Sequence, residues 1–365
     1  MRVNILDNGL QGKTGHHFDL MRQLAAGFQA RGWEVLACGA AQSDPAVAEG
    51  LARTGCRFVP LFSHFAYAPL DLRHDAMAML EYKARTMAGE LASLPPADLN
   101  LFPSLKPLEF YGYALSGLAG TAVGYAHAEP SYQGPLSGRI WHLAAGHVRR
   151  RGMRFSMGAI DPVVGDFLAG YLDGLAVETF PITLSGRSKM HYADQAATIG
   201  FFGSQRDERG KNLIAPLAEQ LIGQGYRVVL HDTNGQFFNT NGHPNLHIIE
   251  GFVEDLQTEM LACDLVVCPM QREIYLHRMS GVACNAMSAG LPFVLPAGTL
   301  AAARFLAQGS CRPYLEHSPA GILQAIGEMA QDYPRYAEAA QRAALRWRAE
   351  QGMARFIDKI IEKTV

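Results

Sequence analysis

The chain has 365 residues, 48% hydrophobic and 18% charged, which is enough for two domains with sizeable cores and too apolar for a disordered protein. Its formal net charge of −2 gives no general attraction for nucleic acid or anionic lipid, so any basic surface must be local. Six cysteines without a C-x-x-C pair read as buried free thiols in a reducing compartment, not as a metal site.

In chain order, the first apolar run, residues 3–6, predicts a strand. It is followed by a loop with glycines at 9, 12 and 15 and then a helix with apolar positions at Phe18, Met21, Leu24, Ala25 and Phe28, the opening half of a β-α-β unit. The N-terminus enters that strand at once and lacks a signal-peptide layout, so a cytoplasmic protein is expected. Strands are predicted at 34–37, 57–61, 99–102, 121–126, 154–160 and 176–181, with helical patterns at 71–94 and 108–118. Strands alternating with helices imply a parallel sheet covered on both faces. Arg149, Arg150, Arg151 and Arg154 form the one locally basic cluster. It reads as a solvated helix end, or as a peripheral contact with the inner face of a membrane.

A polar stretch at 183–193 reads as a linker, after which the alternation restarts. Strands are predicted at 198–202, 227–231, 246–250, 265–268 and 293–295, and helices at 213–224, 255–263, 283–289, 319–329 and 336–361. Residues 279–303 carry no charge, but Asn285, Pro292 and Pro296 argue for a turn-rich buried segment, not a membrane span. The prediction is α/β, with two doubly wound Rossmann-like domains facing a deep cleft: residues 1–183 and residues 194–344.

Three stretches have the residue types for a ligand site. The run 198–212 ends a strand at Gly203 and places Arg206, Arg209 and Lys211 before a helix start; helix N-terminal amides beside cations seat a diphosphate. Some 70 residues on, Ser280, Gly281 and Val282 begin a small-residue helix that carries Asn285 one turn inside it, a second donor group and a reach toward a ribose hydroxyl. In the first half, Gly12, Thr14, Gly15 and His16 line the opening loop, and His127 ends a strand where it can address a sugar hydroxyl or a developing charge; Glu129 is a weaker acidic candidate. Neither the G-x-G-x-x-G dinucleotide fingerprint nor the full phosphate-loop pattern is present.

With these residues assembled, the chain resembles the GT-B glycosyltransferases, more narrowly the retaining family 4 type. The likeness is carried by G-F-F-G-S-Q-R-D-E-R-G-K-N, N-L-H-I-I-E-G-F-V-E-D-L, A-C-D-L-V-V-C-P and N-A-M-S-A-G-L-P, in that order. It implies transfer of a sugar, with retention and without a metal or other cofactor, from a UDP- or GDP-linked donor to a glycan, lipid-linked or protein hydroxyl, in bacterial surface glycan or protein glycosylation, and a final helix at about 345–365 that packs back on the first domain. The N-terminal domain would bind acceptor and the C-terminal domain donor. Arg209 stands where a lysine is usual and Ser204 where an arginine is usual, with Arg206 or Lys211 left to compensate. Phe252 and Val253 would lie against the nucleobase and His127 near the transferred sugar. The family's two glutamates, eight positions apart, are replaced by His277 and Asn285, so Glu273 is the candidate for the first of them. A GT-B binding or regulatory protein without turnover, and a nucleotide-sugar epimerase using Asp7, Glu129 or Glu273, are the alternatives.

Overall fold

The computed structural model describes every residue except 14–15, 67–75, 129–135, 185, 233–234, 236–242, 252, 254 and 365. The chain divides into two compact units, Met1–Thr183 together with Met353–Val365, and Leu184–Gly352. The first contains β1 (Arg2–Leu6), α1 (His16–Gln29), β2 (Glu34–Ala40), α2 (Pro45–Ala52), β3 (Arg57–Phe62), α3 (Ala76–Ala92), β4 (Leu99–Phe102), α4 (Pro107–Ser116), β5 (Thr121–Ala126), α5 (Ser137–Arg150), β6 (Phe155–Ala159), α6 (Pro162–Ala169) and β7 (Val177–Thr179). The second contains β8 (Thr198–Phe201), α7 (Lys211–Gly223), β9 (Arg227–Asp232), β10 (Leu246–Glu250), α8 (Leu256–Leu261), β11 (Leu265–Val267), α9 (Gly281–Ala289), β12 (Phe293–Pro296), α10 (Leu300–Leu306), β13 (Cys311–Tyr314), α11 (Pro319–Gln331) and α12 (Tyr333–Glu350). A last helix, α13 (Met353–Ile361), belongs to the first unit.

Each unit has one sheet, ordered β3-β2-β1-β4-β5-β6-β7 and β10-β9-β8-β11-β12-β13. All pairings are parallel. The strand order therefore reverses between β1 and β4 in the first unit and between β8 and β11 in the second. In an open parallel sheet, that reversal splays the flanking helices apart and leaves a crevice beyond the carboxyl ends of the strands. Burial on both faces explains why strands such as β4, β5 and β11 are buried along their whole length. In the second unit, Ile199, Phe201, Leu230, Leu265 and Val267 pack with Leu217 of α7 and Ile326 of α11 into one core.

The differences from the sequence pattern have local causes. The helical run 336–361 is two helices, because Gly352 takes a φ of +102° and breaks them. The part beyond the break, α13, packs on α1, with Arg31 donating from Nη2 to Asp358 Oδ1 at 2.6 Å and Phe356 buried against Tyr125 and Phe180. The polar stretch expected as a linker is instead tied down. Lys189 Nζ donates to the Cys263 carbonyl at 2.6 Å and to Asp264 Oδ1 at 2.8 Å, Ser188 Oγ donates to Ser288 O, and the Tyr192 hydroxyl donates to Gly290 O. All six cysteines are free and buried. No described helix is long and apolar enough to cross a membrane.

Candidate functional site

The crevice of the second unit is built from the ends of β8 and β11. Gly203, just past β8, has φ +87°, and a Cβ there would meet an Arg209 Nη atom at 2.4 Å and Val282 Cγ2 at 2.9 Å. Only a glycine admits both side chains, and by admitting them it brings the cationic turn and the start of α9 together. After Gly203 the chain tightens into a single 3-10 turn (Asp207–Arg209) and enters α7 through Gly210 at φ +71°, where a Cβ would lie 1.9 Å from the Pro269 carbonyl oxygen. That carbonyl is pinned by a hydrogen bond from His317 Nε2 at 2.9 Å, and the Tyr314 hydroxyl donates to Met270 O at 3.2 Å. The loop after β11 is thus held from both sides.

Phe202, Gln205, Arg209, Cys268, Tyr275, Ser280 and Val282 line the resulting pocket. Ser280 caps α9 by accepting the Ala283 amide on Oγ at 3.3 Å. The Gly281 and Val282 amides come next to it, and a helix supplies no acceptors of its own to its first-turn N–H groups. Arg209 Nε is buried and has no hydrogen-bond partner. A buried charged donor left unsatisfied costs a folded chain roughly 1–3 kcal/mol, and this one sits at a strand-end crevice. Burial pushes the Cys268 thiol up to about 12 despite the Arg209 charge nearby, so it is no nucleophile at neutral pH.

The first unit builds something different at the corresponding edge. Asp7 follows β1 and is buried, accepting from His17 Nδ1 at 2.7 Å on Oδ2 and from the Gly9 amide at 2.9 Å on Oδ1. A Cβ on Gly9 would sit 2.5 Å from the His17 ring, so the glycine is what lets the imidazole close over the carboxylate. Burial alone would raise the Asp7 pKa. The His17 charge, the two hydrogen bonds and Lys106 outweigh it, and the group lies below its ordinary value. Lys106 is half-buried and shifted down by desolvation, whereas burial pushes Glu109, whose Oε2 accepts the Lys106 amide at 2.8 Å, up to about 8.

His127 completes this edge. Its Nε2 lies 2.9 Å from the Pro103 carbonyl, an acceptor only, so Nε2 carries the proton. Desolvation pulls its pKa down to about 4, which keeps the ring neutral at physiological pH, and any further role runs through Nδ1 as an acceptor. Its ring meets Tyr125 edge-on at 4.6 Å, and Phe356 of α13 meets Tyr125 at 4.8 Å.

Comparison with solved structures then decides the fold. A sucrose-phosphate synthase from Thermosynechococcus elongatus matches with a TM-score of 0.70 and 12% identity, covering 99% of this chain and 98% of that one. Anabaena HepE in complex with UDP and glucose matches with 0.66 and 15%, again over 99% and 98%. The glycosyltransferase of kitacinnamycin matches with 0.66 and 16%, over 100% and 99%. The fold is GT-B. No family model and no curated protein matches the sequence.

Within this GT-B chain, the second unit gathers Arg209, Ser280 and Val282 in one pocket, with Gly281 between the last two. Lys211 opens α7, and Asn285 lies half-buried one turn into α9. Ser204 and Arg206 are exposed, and Glu273 is exposed on a second 3-10 turn (Arg272–Ile274). Val253 is half-buried beyond β10, whereas Phe252 lies outside the described residues. In the first unit Gly12 lines an open pocket with Gly9, Gln11 and His17. Thr14, Gly15 and Glu129 lie outside the described residues, and His16 enters only as the first residue of α1. Of the basic cluster, Arg149 pairs with Asp173, and Arg151 donates to the Ala114 and Leu115 carbonyls at the end of α4. Sequence reasoning missed the Asp7–His17 pair, the Lys106–Glu109 pair and Arg278. Only Glu109, three residues after Lys106 and just past Pro107, left a readable mark, that of a helix-capping acid.

Proposed function

We propose that the chain is a glycosyltransferase that moves a sugar from a UDP- or GDP-linked donor to a hydroxyl acceptor with the anomeric configuration retained. The observation that carries this reading is Arg209, whose buried Nε has no partner beside the first turn of α9 at the β8–β11 crevice. Cleaving a glycosyl phosphate develops negative charge on the leaving diphosphate. A guanidinium and the Gly281 and Val282 amides, with the positive end of α9 behind them, stabilise that charge without reorganisation. The second unit is the donor side and the first the acceptor side. The UDP and UDP-glucose complexes of Anabaena HepE, a chain of the same fold, support a nucleotide-sugar donor.

A second reading, inversion, is favoured by one feature of the first unit. The Asp7–His17 pair has the form of an oriented base, a carboxylate fixing the proton on Nδ1 so that Nε2 is the basic nitrogen. A base of that kind deprotonates an attacking hydroxyl in a single displacement, which inverts the anomeric centre. The test is to incubate the full chain with UDP- and GDP-sugars, with and without glycan and lipid-linked acceptors, and to assign product anomers by NMR. Retained configuration supports the first reading, inverted configuration the second, and absence of both binding and consumption of every donor overturns both.

A further inference from the structure

Arg278 has no role in the reading above, yet it is held between an aromatic ring and a carboxylate beside the donor pocket. Two residues before the α9 cap, it lies over the ring of Tyr275 with its central carbon 5.1 Å from the centroid. Tyr275 itself lines the pocket, is 2% exposed and is fixed by backbone bonds from its amide to Arg272 O and to its carbonyl from the Leu300 amide. On its other side Arg278 donates from Nη1 to Glu208 Oε1 at 3.4 Å, and Arg206 reaches the same oxygen at 3.3 Å. Glu208 is the residue before Arg209. One carboxylate therefore sits between two guanidiniums, beside a third whose Nε is unsatisfied.

We propose that Arg278 is a second diphosphate-binding guanidinium, held by Tyr275 and parked on Glu208 until a donor phosphate takes the place of that carboxylate. This rests on the nucleotide-donor reading and adds to it the group that meets the outer phosphate. Three observations carry it. Arg206 and Arg278 converge on Glu208, the residue before Arg209, a gathering of guanidiniums that suits an incoming anion. The Glu208 contacts are long and shared, so a phosphate oxygen, which guanidinium forks match bidentately, competes well for them. The exchange costs little ordering, because the Tyr275 ring holds the guanidinium in place on its other face.

The experiment is calorimetric titration of the full chain with UDP, UMP, GDP, GMP and inorganic pyrophosphate, using wild type, Arg278→Ala, Arg278→Lys, Glu208→Gln and Arg209→Ala, each checked by thermal melting. Arg278→Ala should weaken the better-bound diphosphate about tenfold, as expected for one charge-assisted bond, while its monophosphate is unchanged. Arg278→Lys should recover part of the loss, and Glu208→Gln should tighten the diphosphate several-fold. Equal losses for mono- and diphosphate would make Arg278 a packing residue and overturn the proposal. So would an Arg278→Ala affinity within twofold of wild type while Arg209→Ala binds weakly, or a weaker Glu208→Gln. If Arg209→Ala is also unaffected, or wild type binds none of the five, the donor reading fails and takes this one with it.

Discussion

The two strand-end crevices share a topology and differ in how their charges are settled. In the first unit Asp7, His17, Lys106, Glu109 and His127 are gathered on buried ground, and Asp7 is satisfied by His17 and the Gly9 amide. In the second unit the charged groups stand at the rim, and a guanidinium nitrogen is buried with nothing to bond. The first edge is assembled to hold protons on chosen atoms. On the reading proposed above, the second receives an anion from outside. The same strand order gives both, because topology fixes where a crevice lies but not what it does.

The largest effect expected tests whether the two edges are energetically separate. Phe356→Ala removes a fully buried ring packed on Tyr125 and Phe180, and should cost the first unit ~3–5 kcal/mol. Thermal melting with and without UDP and GDP should show a lowered transition that nucleotide does not restore, with nucleotide affinity intact. Loss of affinity would break the comparison. Next comes Arg209→Met, which should lower diphosphate affinity by ~1.5–3 kcal/mol. Because the native guanidinium has an unsatisfied buried nitrogen, the variant should melt no lower than wild type. A residue held for stability alone would show the opposite pattern.

That contrast also explains what could be read in advance. The Arg209 turn and the Ser280 helix start could be singled out because each is a local pattern, a strand end or small-residue run before a helix, whereas the approach of Gly203 to Val282 and of Gly210 to the Pro269 carbonyl spans tens of residues and leaves no such pattern. The partners Arg278 and Glu208 are 70 residues apart, and no spacing announces them. Asp7 was named as an acidic residue, but its pairing with His17 depends on Gly9 yielding space, which periodicity does not express. Helices α2 and α6 went unpredicted although Asp44-Pro45 and Asp161-Pro162 carry a capping acid and a proline at the first helical position. Strand β13 was hidden by Pro313, which is tolerated because β13 is the last strand of its sheet.

A smaller effect separates His127 from its neighbours by pH. Its folded pKa, about 4, lies below the ordinary 6.5. Between those values the unfolded chain binds more protons than the folded one. The stability tied to the neutral ring is therefore complete above pH 6.5 and falls as pH drops toward 4. His127→Asn should remove that part of the acid loss, so the stability difference between variant and wild type should change from pH 7 to pH 4. Asp7, with its lowered pKa, loses its contribution below the ordinary carboxylate range and is common to both proteins. A constant difference across the range would mean that the imidazole titrates in the folded chain as it does in the unfolded one.

The smallest effect asks what holds α13 on the first unit. Arg31 bonds Asp358 through Nε and Nη2 at 2.9 and 2.6 Å, but Asp358 is half exposed, and such pairs contribute only ~0–1 kcal/mol because water and salt screen them. The apolar side of the same contact is tighter. A Cβ on Gly27 would come within 2.2 Å of Ile357 Cδ1, so an added methyl there displaces the end of that side chain from the helix contact. Arg31→Ala should therefore shift the melting transition slightly, and less so as salt rises, whereas Gly27→Ala should shift it more at every salt concentration. If Arg31→Ala proves the costlier of the two, charge rather than packing fastens α13, and the Phe356 prediction loses its basis.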